Sequence, residues 1–330
     1  IIMSKKDLDE VLPLYKTDDM YLTSYSMEYL EELGLLKMDF LVIKNLTLID
    51  NIINDIKTIE NKEVVFSKIP LDDKETLEMF KTANTCGIFQ FESSGMRNFL
   101  RRLKPSTFED IFAAIALFRP GAAINIDTYI KRKHNEEKIT YLDKSLEEVT
   151  KNTYGLLIYQ EQIMQLANVY AGYSLGEADI LRRAMSKKKV ELLKSEEEKF
   201  IRKSKEMGHD EKQAKELFNL VLNFAGYGFN KSHSVVYSVV AYKMAYLKAN
   251  FYPYFMVSVL NNNITNELIT SNYVAILRSK NITIATPDIN ISTAKYLIHD
   301  KEIICPLSII RNVGTNITNQ ILKEREKGIF

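Results

Sequence analysis

The segment SHSVVYSVVAYKMAYLKANF, residues 232–251, is almost entirely apolar and predicts one long helix. A helix that is hydrophobic on every side has to be covered on every side, so this segment predicts the centre of a sizeable helical core. Because 46% of the 330 residues are hydrophobic, the chain can supply the apolar faces that would surround it. The segment therefore favours a large, mainly helical domain.

Cap signals support further helices along the chain. Ser106 with Glu109, and Ser174 with Glu177, match the capping-box spacing and predict two helix starts. We expect both serines to accept a hydrogen bond from the backbone three residues later.

Strand character is confined to short stretches. The apolar run LLKMDFLVI, residues 35–43, has a length that suits a strand better than a helix. Further short strands are predicted at residues 281–292 and 294–307. The predicted fold class is α+β and mainly α-helical, with domain boundaries near Leu46 and Asn261.

Composition narrows the class of protein. The net charge of +1, from 44 basic and 43 acidic residues, argues against a histone-like polycation but leaves room for a local basic groove. Cys86 and Cys305 are isolated, which predicts neither a disulfide framework nor a cysteine metal site, and favours a reducing compartment. No run reaches the roughly 20 apolar residues that a membrane span needs. Since the chain starts at Ile1, we expect it to be an excised part of a longer protein.

The long apolar helix is preceded by a polar break in the sequence FAGYGFNKSHSVVY, residues 224–237. Gly226 and Gly228 permit close backbone approach. The residues that follow, Asn230, Lys231, Ser232 and His233, stand at a predicted helix N-terminus, which favours anions. The loop is a candidate phosphate clasp without the P-loop spacing. The alternative is a helix cap with His233 stacked against Tyr237.

Three clusters of basic residues are candidate contacts for a polyphosphate or a nucleic-acid backbone. Their members are Arg182, Arg183, Lys187, Lys188 and Lys189; Arg97, Arg101, Arg102 and Lys104; and Lys131, Arg132, Lys133 and His134. Arginine suits this role because its planar fork matches phosphate oxygens. The alternative is that these clusters are solvated faces that serve only solubility.

Lys37 and Asp39 lie two apart on the predicted strand, so we expect them on one face, with Met38 and Phe40 facing a core. One interpretation is an ordinary salt bridge between a carboxylate and an ammonium. The other is that Asp39 binds a divalent metal while Lys37 faces phosphate oxygens.

Seven motifs together resemble a known family. They are GLLKMDFLVIKNLTLID, IPLDDKETLEMF, GIFQFESSGM, ALFRPG, YGLLIYQEQIMQLA, GYSLGEADILRRAMSKKK and FAGYGFNKSHSVVYSVVAYKMAYLKANF. In order and approximate spacing they resemble the bacterial replicative DNA polymerase III alpha subunit, a C-family DNA polymerase. The resemblance is strong over residues 1–260 and looser beyond, where SIIRNVGTNITNQIL resembles a helix-hairpin type of backbone contact.

The resemblance implies a domain order and a set of site residues. Residues 1–45 would be the end of a nucleotidyltransferase-type palm, 46–261 the helical fingers, and 262–330 a distal, mixed α/β part of the fingers. Asp39 would match the third catalytic carboxylate and bind Mg²⁺. The nucleotide side would comprise Lys37, Arg119, Arg182, Arg183, Asn230, Lys231, Ser232 and His233, and the DNA contacts would comprise Arg97, Arg101, Arg102, Lys187, Lys188 and Lys189.

The implied reaction is phosphoryl transfer. A primer 3′-hydroxyl attacks the α-phosphate of a dNTP while two Mg²⁺ ions stabilise the attacking and leaving oxygens. The implied partners are dNTP, primer–template DNA and, through regions outside this chain, the sliding clamp and other replisome components. The implied location is the cytoplasm, at the nucleoid-associated replisome, without membrane association.

The family's pattern also has two upstream catalytic aspartates, as Asp-x-Asp, that this chain lacks. Asp7 and Asp9 have the right letters but precede EVLPLY rather than lying on a matching strand. We therefore expect the isolated chain to be inactive. The alternatives are a non-catalytic helical module that binds nucleotide or nucleic acid, and a purely structural helical domain.

Overall fold

The structure, a computed structural model, describes residues 1–40, 42–187, 190–225 and 227–330. The predicted loop glycine Gly226 and the predicted DNA contacts Lys188 and Lys189 lie outside the described residues, as does the side chain of Lys187. The chain divides into two compact units, residues 1–47 and residues 48–330.

The first unit holds short strands around a small core. Its elements are β1 (Ile2–Met3), α1 (Leu8–Val11), β2 (Leu14–Lys16), β3 (Tyr21–Thr23), a 3₁₀ turn (Met27–Tyr29) and β4 (Leu36–Lys37). Two antiparallel pairs form, β1 with β4 and β2 with β3. The core consists of Leu12, Leu30 and Leu35.

The predicted strand over residues 35–43 is wrong in its extent, because β4 ends at Lys37. Its strand partner, β1, is two residues long and pairs Ile2 with Lys37 and Met3 with Leu36. Among the described residues, the backbone bonds between these two segments end at Met38, whose N–H donates to the Ile1 carbonyl at 2.7 Å. The predicted burial of Met38 and Phe40 is also wrong: they are 38% and 65% exposed. Asp39 therefore follows the strand rather than lying on it.

Helices dominate the second unit. They are α2 (Lys44–Glu60), α3 (Lys74–Lys81), α4 (Ser94–Leu103), α5 (Phe108–Leu117), α6 (Ile126–Lys133), α7 (Ser145–Thr150), α8 (Gln160–Ala171), α9 (Leu175–Lys187), α10 (Val190–Glu206), α11 (Glu211–Ala225), α12 (Lys231–Asn250), α13 (Tyr252–Asn262), α14 (Glu267–Ser279) and α15 (Thr315–Arg325). The predicted α+β, mainly α-helical fold class is confirmed. No described helix combines the length and apolarity needed to cross a membrane.

Helix α12 lies at the centre of the larger core, as its apolar sequence predicted. It packs against α3, α5 and α13. Tyr242, in the middle of α12, is fully buried and contacts the rings of Phe80 and Phe108, with ring centroids 6.1 and 5.8 Å away. Aromatic contacts of this kind add to the area that burial removes from water.

A second apolar cluster is built by α8, α9, α10 and α11. Phe200 lies at its centre, with its ring centroid 6.0 Å from that of Tyr170 and 5.6 Å from that of Phe218. Arg182 and Arg183 lie on α9. Because α9 packs against α8 in this cluster, the packing fixes the position of both arginines relative to α8.

The capping predictions had different outcomes. Ser174 and Glu177 form the expected box: the Ser174 backbone N–H donates to Glu177 at 2.9 Å, and the Glu177 N–H donates to Ser174 Oγ at 3.3 Å. At α5 the predicted pair was wrong by one residue, because Thr107 and Asp110 form the box. The buried Asp110 carboxylate also pairs with Lys133 at 2.8 Å, which fixes the helix start where both partners are satisfied.

The predicted strands near the C-terminal end are present as a small sheet of order β5–β7–β6. Its strands are β5 (Ile284–Ala285), β6 (Leu297–His299) and β7 (Glu302–Ile304). β5 runs parallel to β7, and β6 runs antiparallel to it. Ile303 and Ile304 are buried, and Ile303 belongs to the larger core, which attaches this sheet to the rest of the unit.

One ammonium group is buried on α12. Lys248 is 3% exposed, and its Nζ donates to the carbonyl oxygens of Asn84 and Cys86 at 2.8 Å each. Desolvation by burial lowers the pKa of Lys248 to about 8. Because the unfolded chain then binds more protons than the folded chain above this pH, the free energy of unfolding should increase as the pH rises.

We predict that, from about pH 8 to about pH 9.5, Lys248 adds about 2 kcal/mol to the free energy of unfolding. The measurement is denaturant unfolding of the wild type and of Lys248→Met across this range. When the free energy of unfolding of the variant is subtracted from that of the wild type, the pH dependence that the tyrosines give to both proteins cancels. A difference that stays constant with pH would show that Lys248 titrates normally.

Candidate nucleotide and nucleic-acid contact residues

The N-terminus of α12 is capped by its own chain. Asn230 Oδ1 accepts a hydrogen bond of 2.7 Å from the His233 backbone N–H. The His233 ring stacks on Tyr237 with centroids 4.1 Å apart and meets Phe229 edge-on at 5.4 Å. The cap and the stacking of the alternative interpretation are thus both present. Neither the cap nor the ring stacking uses the Lys231 side chain, whose ammonium lies 5.6 Å from the centre of the Tyr159 ring.

A carboxylate already lies at the predicted anion position. The Lys231 backbone N–H donates to both carboxylate oxygens of Glu161, at 3.0 and 2.9 Å. Asn230 Nδ2 donates to the same carboxylate at 3.1 Å. Glu161 stands in the first turn of α8, so the contact joins the starts of two helices. The sequence predicted that this loop attracts an anion, but not that the chain supplies one.

Arg119 is held close to the same loop. Its guanidinium carbon lies 4.7 Å from the centre of the Phe229 ring. The backbone N–H of Phe229 donates to the Ile158 carbonyl at 3.1 Å, and the Gln160 N–H donates to the Phe229 carbonyl at 2.9 Å. Arg119 and Lys231 therefore lie against aromatic rings of two segments that are bonded to each other. Aromatic faces attract cations and leave their outer hydrogen-bond donors available.

A pocket of about 300 Å³ opens beside Arg119. Its lining comprises Gln90, Glu92, Ser93, Met96, Ile115, Phe118 and Arg119. The structure thus brings the motif GIFQFESSGM next to FRPG. Neither Gln90 nor Glu92 was predicted as a site residue, since nothing local marks them as more than loop residues.

Arg182 is linked to this group, and Arg183 less directly. Arg182 donates from Nη1 to Gln160 Oε1 at 3.4 Å and from Nη2 to Asp179 at 2.8 Å. Arg183 pairs with the other oxygen of Asp179 at 2.8 Å, and its side chain is 67% exposed. Hydrogen bonding from Arg182, and then the charges of both arginines, lower the pKa of Asp179. Both arginines are thus partly neutralised by one carboxylate.

The predicted DNA contacts separate into two environments. Arg101 and Arg102 line a surface depression of about 640 Å³ together with Lys104, Lys131 and His134. Arg102 pairs with Asp127, which lines the same depression. Two of the three basic clusters therefore meet at one place. Arg97 is half-buried, and its Nε is buried without a hydrogen-bond partner among the described residues.

Lys37 and Asp39 belong to the first unit. Their side chains form the ion pair of the simpler interpretation, with Lys37 Nζ 3.1 Å from Asp39 Oδ2. The Asp39 side chain is 65% exposed. Among the described residues no group of three or more His, Cys, Asp and Glu is placed to hold a metal ion. A single exposed carboxylate does not by itself form a two-metal site.

Comparison with known sequences identifies the family. The model of the bacterial DNA polymerase III alpha subunit finger domain matches residues 45–208, and that of the bacterial DNA polymerase III alpha NTPase domain matches residues 1–42. The DNA polymerase III subunit alpha of Staphylococcus epidermidis is 43% identical over 327 residues, 99% of this chain and 31% of the relative. That of Bacillus subtilis is 42% identical over 331 residues, 100% of this chain and 30% of the relative.

The chain belongs to the bacterial DNA polymerase III alpha family. The resemblance seen in the seven motifs is thereby confirmed. A helix-hairpin-helix family model also matches residues 281–330, where the sequence resembled a helix-hairpin contact. The chain spans less than a third of the length of these DNA polymerase III alpha relatives.

In this member of the polymerase family, the sequence did not predict the site residues whose side chains contact residues of other motifs. Tyr159, Gln160 and Glu161 lie in the motif YGLLIYQEQIMQLA, which contributed to the family resemblance but supplied no predicted site residue. The available signal was an acidic residue in the first turn of a helix, which usually indicates a favourable interaction with that helix's own dipole. Its partner on α12 is 70 residues away.

The backbone of the FRPG loop packs closely against the ring of Tyr227 in the loop before α12. Gly121 has φ +91°, and a Cβ built there would lie 2.0 Å from Tyr227 Cδ1. Gly176, by contrast, has no heavy atom within 4 Å of such a Cβ and stands in α9.

We predict that Gly121→Ala lowers the free energy of unfolding by about 1–3 kcal/mol, because the new methyl group displaces Tyr227 and the backbone is strained. The matched control Gly176→Ala should raise it by up to about 1 kcal/mol, since alanine favours helix. Denaturant unfolding measures both. Equal stability of Gly121→Ala and wild type would show that the two loops are not packed as described.

Proposed function

We propose that the protein to which this chain belongs is a template-directed DNA polymerase that transfers deoxynucleotides from dNTP to a primer 3′-hydroxyl. The identity of 42–43% over essentially the whole chain to proteins named DNA polymerase III subunit alpha supports this. The observation that carries the proposal for this chain is that Arg119 and Lys231 converge on the bonded Tyr159 and Phe229 segments.

In this proposal the converging cations hold the triphosphate of the incoming nucleotide. Arg119 offers a planar fork, Lys231 a compact charge, and both are backed by aromatic rings that exclude water from one side. Arg182 extends the positive surface through Gln160, with Arg183 beside it. Asn230, Ser232 and His233 occupy the cap and first turn that present Lys231. Such fixed positive groups stabilise charge that develops on phosphate oxygens during transfer.

Asp39 and Lys37 are proposed for the roles that the family resemblance implies. Asp39 would supply one carboxylate ligand to Mg²⁺, and Lys37, now paired with Asp39, would approach the triphosphate. Magnesium would supply charge neutralisation at the transferred phosphoryl group. Since the described residues do not form the full ligand set, further carboxylates would have to come from elsewhere in the polypeptide.

DNA contacts are proposed at the depression that contains Arg101 and Arg102. Arg97, Lys187, Lys188 and Lys189 are proposed as separate DNA contacts. The helix-hairpin-helix segment at residues 281–330 is a second proposed backbone contact. Neutralising phosphates in this way makes affinity fall with added salt. The sliding clamp and the replisome are proposed partners of the whole protein through other regions, and the cytoplasm is its proposed location.

A second candidate function applies to the chain by itself, because Asp39 is a single exposed carboxylate. The isolated chain would then bind primer–template DNA or nucleotide without turnover. Primer extension with the isolated chain distinguishes the two: binding that weakens with salt and gives no extension is the expected result. Robust synthesis would overturn the proposal that the catalytic set is incomplete here.

We predict that Lys231→Ala, Arg119→Ala and Arg183→Ala in the intact polymerase each raise KM for dNTP. The two residues backed by aromatic rings should show about tenfold effects, which corresponds to losing one charged hydrogen bond of about 1.5 kcal/mol, and Arg183 a smaller one. Steady-state primer extension at varied dNTP measures this.

The matched control is Lys212→Ala, which removes an exposed lysine of α11 that is outside the proposed site. It should leave KM unchanged. Wild-type kinetics in all three site variants would remove these residues from the nucleotide site.

A further inference from the structure

We infer that Glu161 is a positioning residue for nucleotide binding: its carboxylate fixes the first turn of α12 so that Lys231 faces the triphosphate. The inference rests on the proposed function, since it concerns how that site is held in shape. Failure of the inference and failure of the site give different kinetic results.

The geometry joins two helix starts through one side chain. Glu161 stands in the first turn of α8, and its carboxylate accepts three hydrogen bonds from the start of α12, at 2.9–3.1 Å, two of them from the Lys231 backbone N–H. The partial positive charge at each helix N-terminus favours a carboxylate there. The bonds between Phe229 and residues 158 and 160 run alongside, so the two segments are held at more than one point.

The bonds to Glu161 leave the Lys231 ammonium available. Glu161 accepts from the backbone N–H of Lys231 and from the side-chain amide of Asn230, and Asn230 Oδ1 accepts from the His233 N–H, so none of these bonds uses the Lys231 side chain. The ammonium of Lys231 lies over Tyr159, the residue that immediately precedes α8. The same short segment that carries Glu161 therefore also carries the ring that supports the Lys231 ammonium.

An opposite role for Glu161 is physically distinct. If the carboxylate were a competitor that occupies the phosphate position, a nucleotide would have to displace it, and removing it would tighten binding. If it is a positioning residue, removing it lets the first turn of α12 move relative to Tyr159, and binding weakens. The two roles predict changes in KM for dNTP of opposite sign.

The experiment uses the intact polymerase with Glu161→Ala, Glu161→Gln, Lys231→Ala and the double variant Glu161→Ala/Lys231→Ala. Glu161→Ala should raise KM for dNTP about five- to tenfold with a smaller change in kcat, since the interaction is proposed to act in binding. Glu161→Gln should lie between wild type and alanine, because its amide oxygen can still accept one hydrogen bond from Lys231. The double variant should be no worse than the larger single effect, since Glu161 acts through the Lys231 turn.

The matched control is Asp73→Ala, which removes another capping carboxylate, at the start of α3, that binds the backbone N–H and hydroxyl of Thr76, neither residue being a proposed nucleotide contact. It should lose stability without a change in KM. A lower KM in Glu161→Ala, an unchanged KM, or additive effects in the double variant would each overturn the inference. If Lys231→Ala also leaves KM unchanged, Lys231 is not a nucleotide contact, and the failure then lies in the proposed site as well as in the role of Glu161.

Discussion

Burial of α12 is the constraint on which the second unit depends. Residues 241–245 of α12 are all buried, because α3, α5 and α13 pack around this part of the helix. Its polar start, however, cannot be buried in the same way, because the first N–H groups of a helix lack partners within the helix. The chain meets this need with Asn230 and Glu161, and Arg119 and Lys231 lie against aromatic rings beside that helix start.

Arg119, Lys231 and Arg182 come close together because the helices and loops that carry them pack against one another. Arg119 comes shortly after the end of α5, which packs on α12, and Ser234 in the first turns of α12 donates a hydrogen bond to the Phe112 carbonyl of α5. Arg182 reaches the same region because α9 packs on α8. Like charges gathered this way repel one another in the absence of an anion. Carboxylates at positions 161 and 179 reduce that repulsion, and aromatic rings support the exposed charges.

The sequence predicted what depends on local pattern. The apolar run of residues 232–251, the Ser174 cap and the short C-terminal strands all have local signals, and the structure contains them. The start of α5 was misplaced by one residue because the buried pair of Asp110 and Lys133, which fixes it, is a tertiary contact. The strand at residues 35–43 was overextended because apolar composition does not reveal whether a neighbouring strand is present. Glu161 was missed for the same reason: its meaning depends on a partner 70 residues away.

Arg119 and Lys231, which lie against the Phe229 and Tyr159 rings, are proposed to bind the triphosphate of an incoming nucleotide. The most direct measurement is a structure of the intact polymerase bound to primer–template DNA and a non-hydrolysable dNTP. The triphosphate oxygens should lie within hydrogen-bonding distance of the Lys231 ammonium and the Arg119 guanidinium, with the carboxylate of Glu161 still bonded to the start of α12. A triphosphate bound elsewhere, touching neither cation, would contradict the claim.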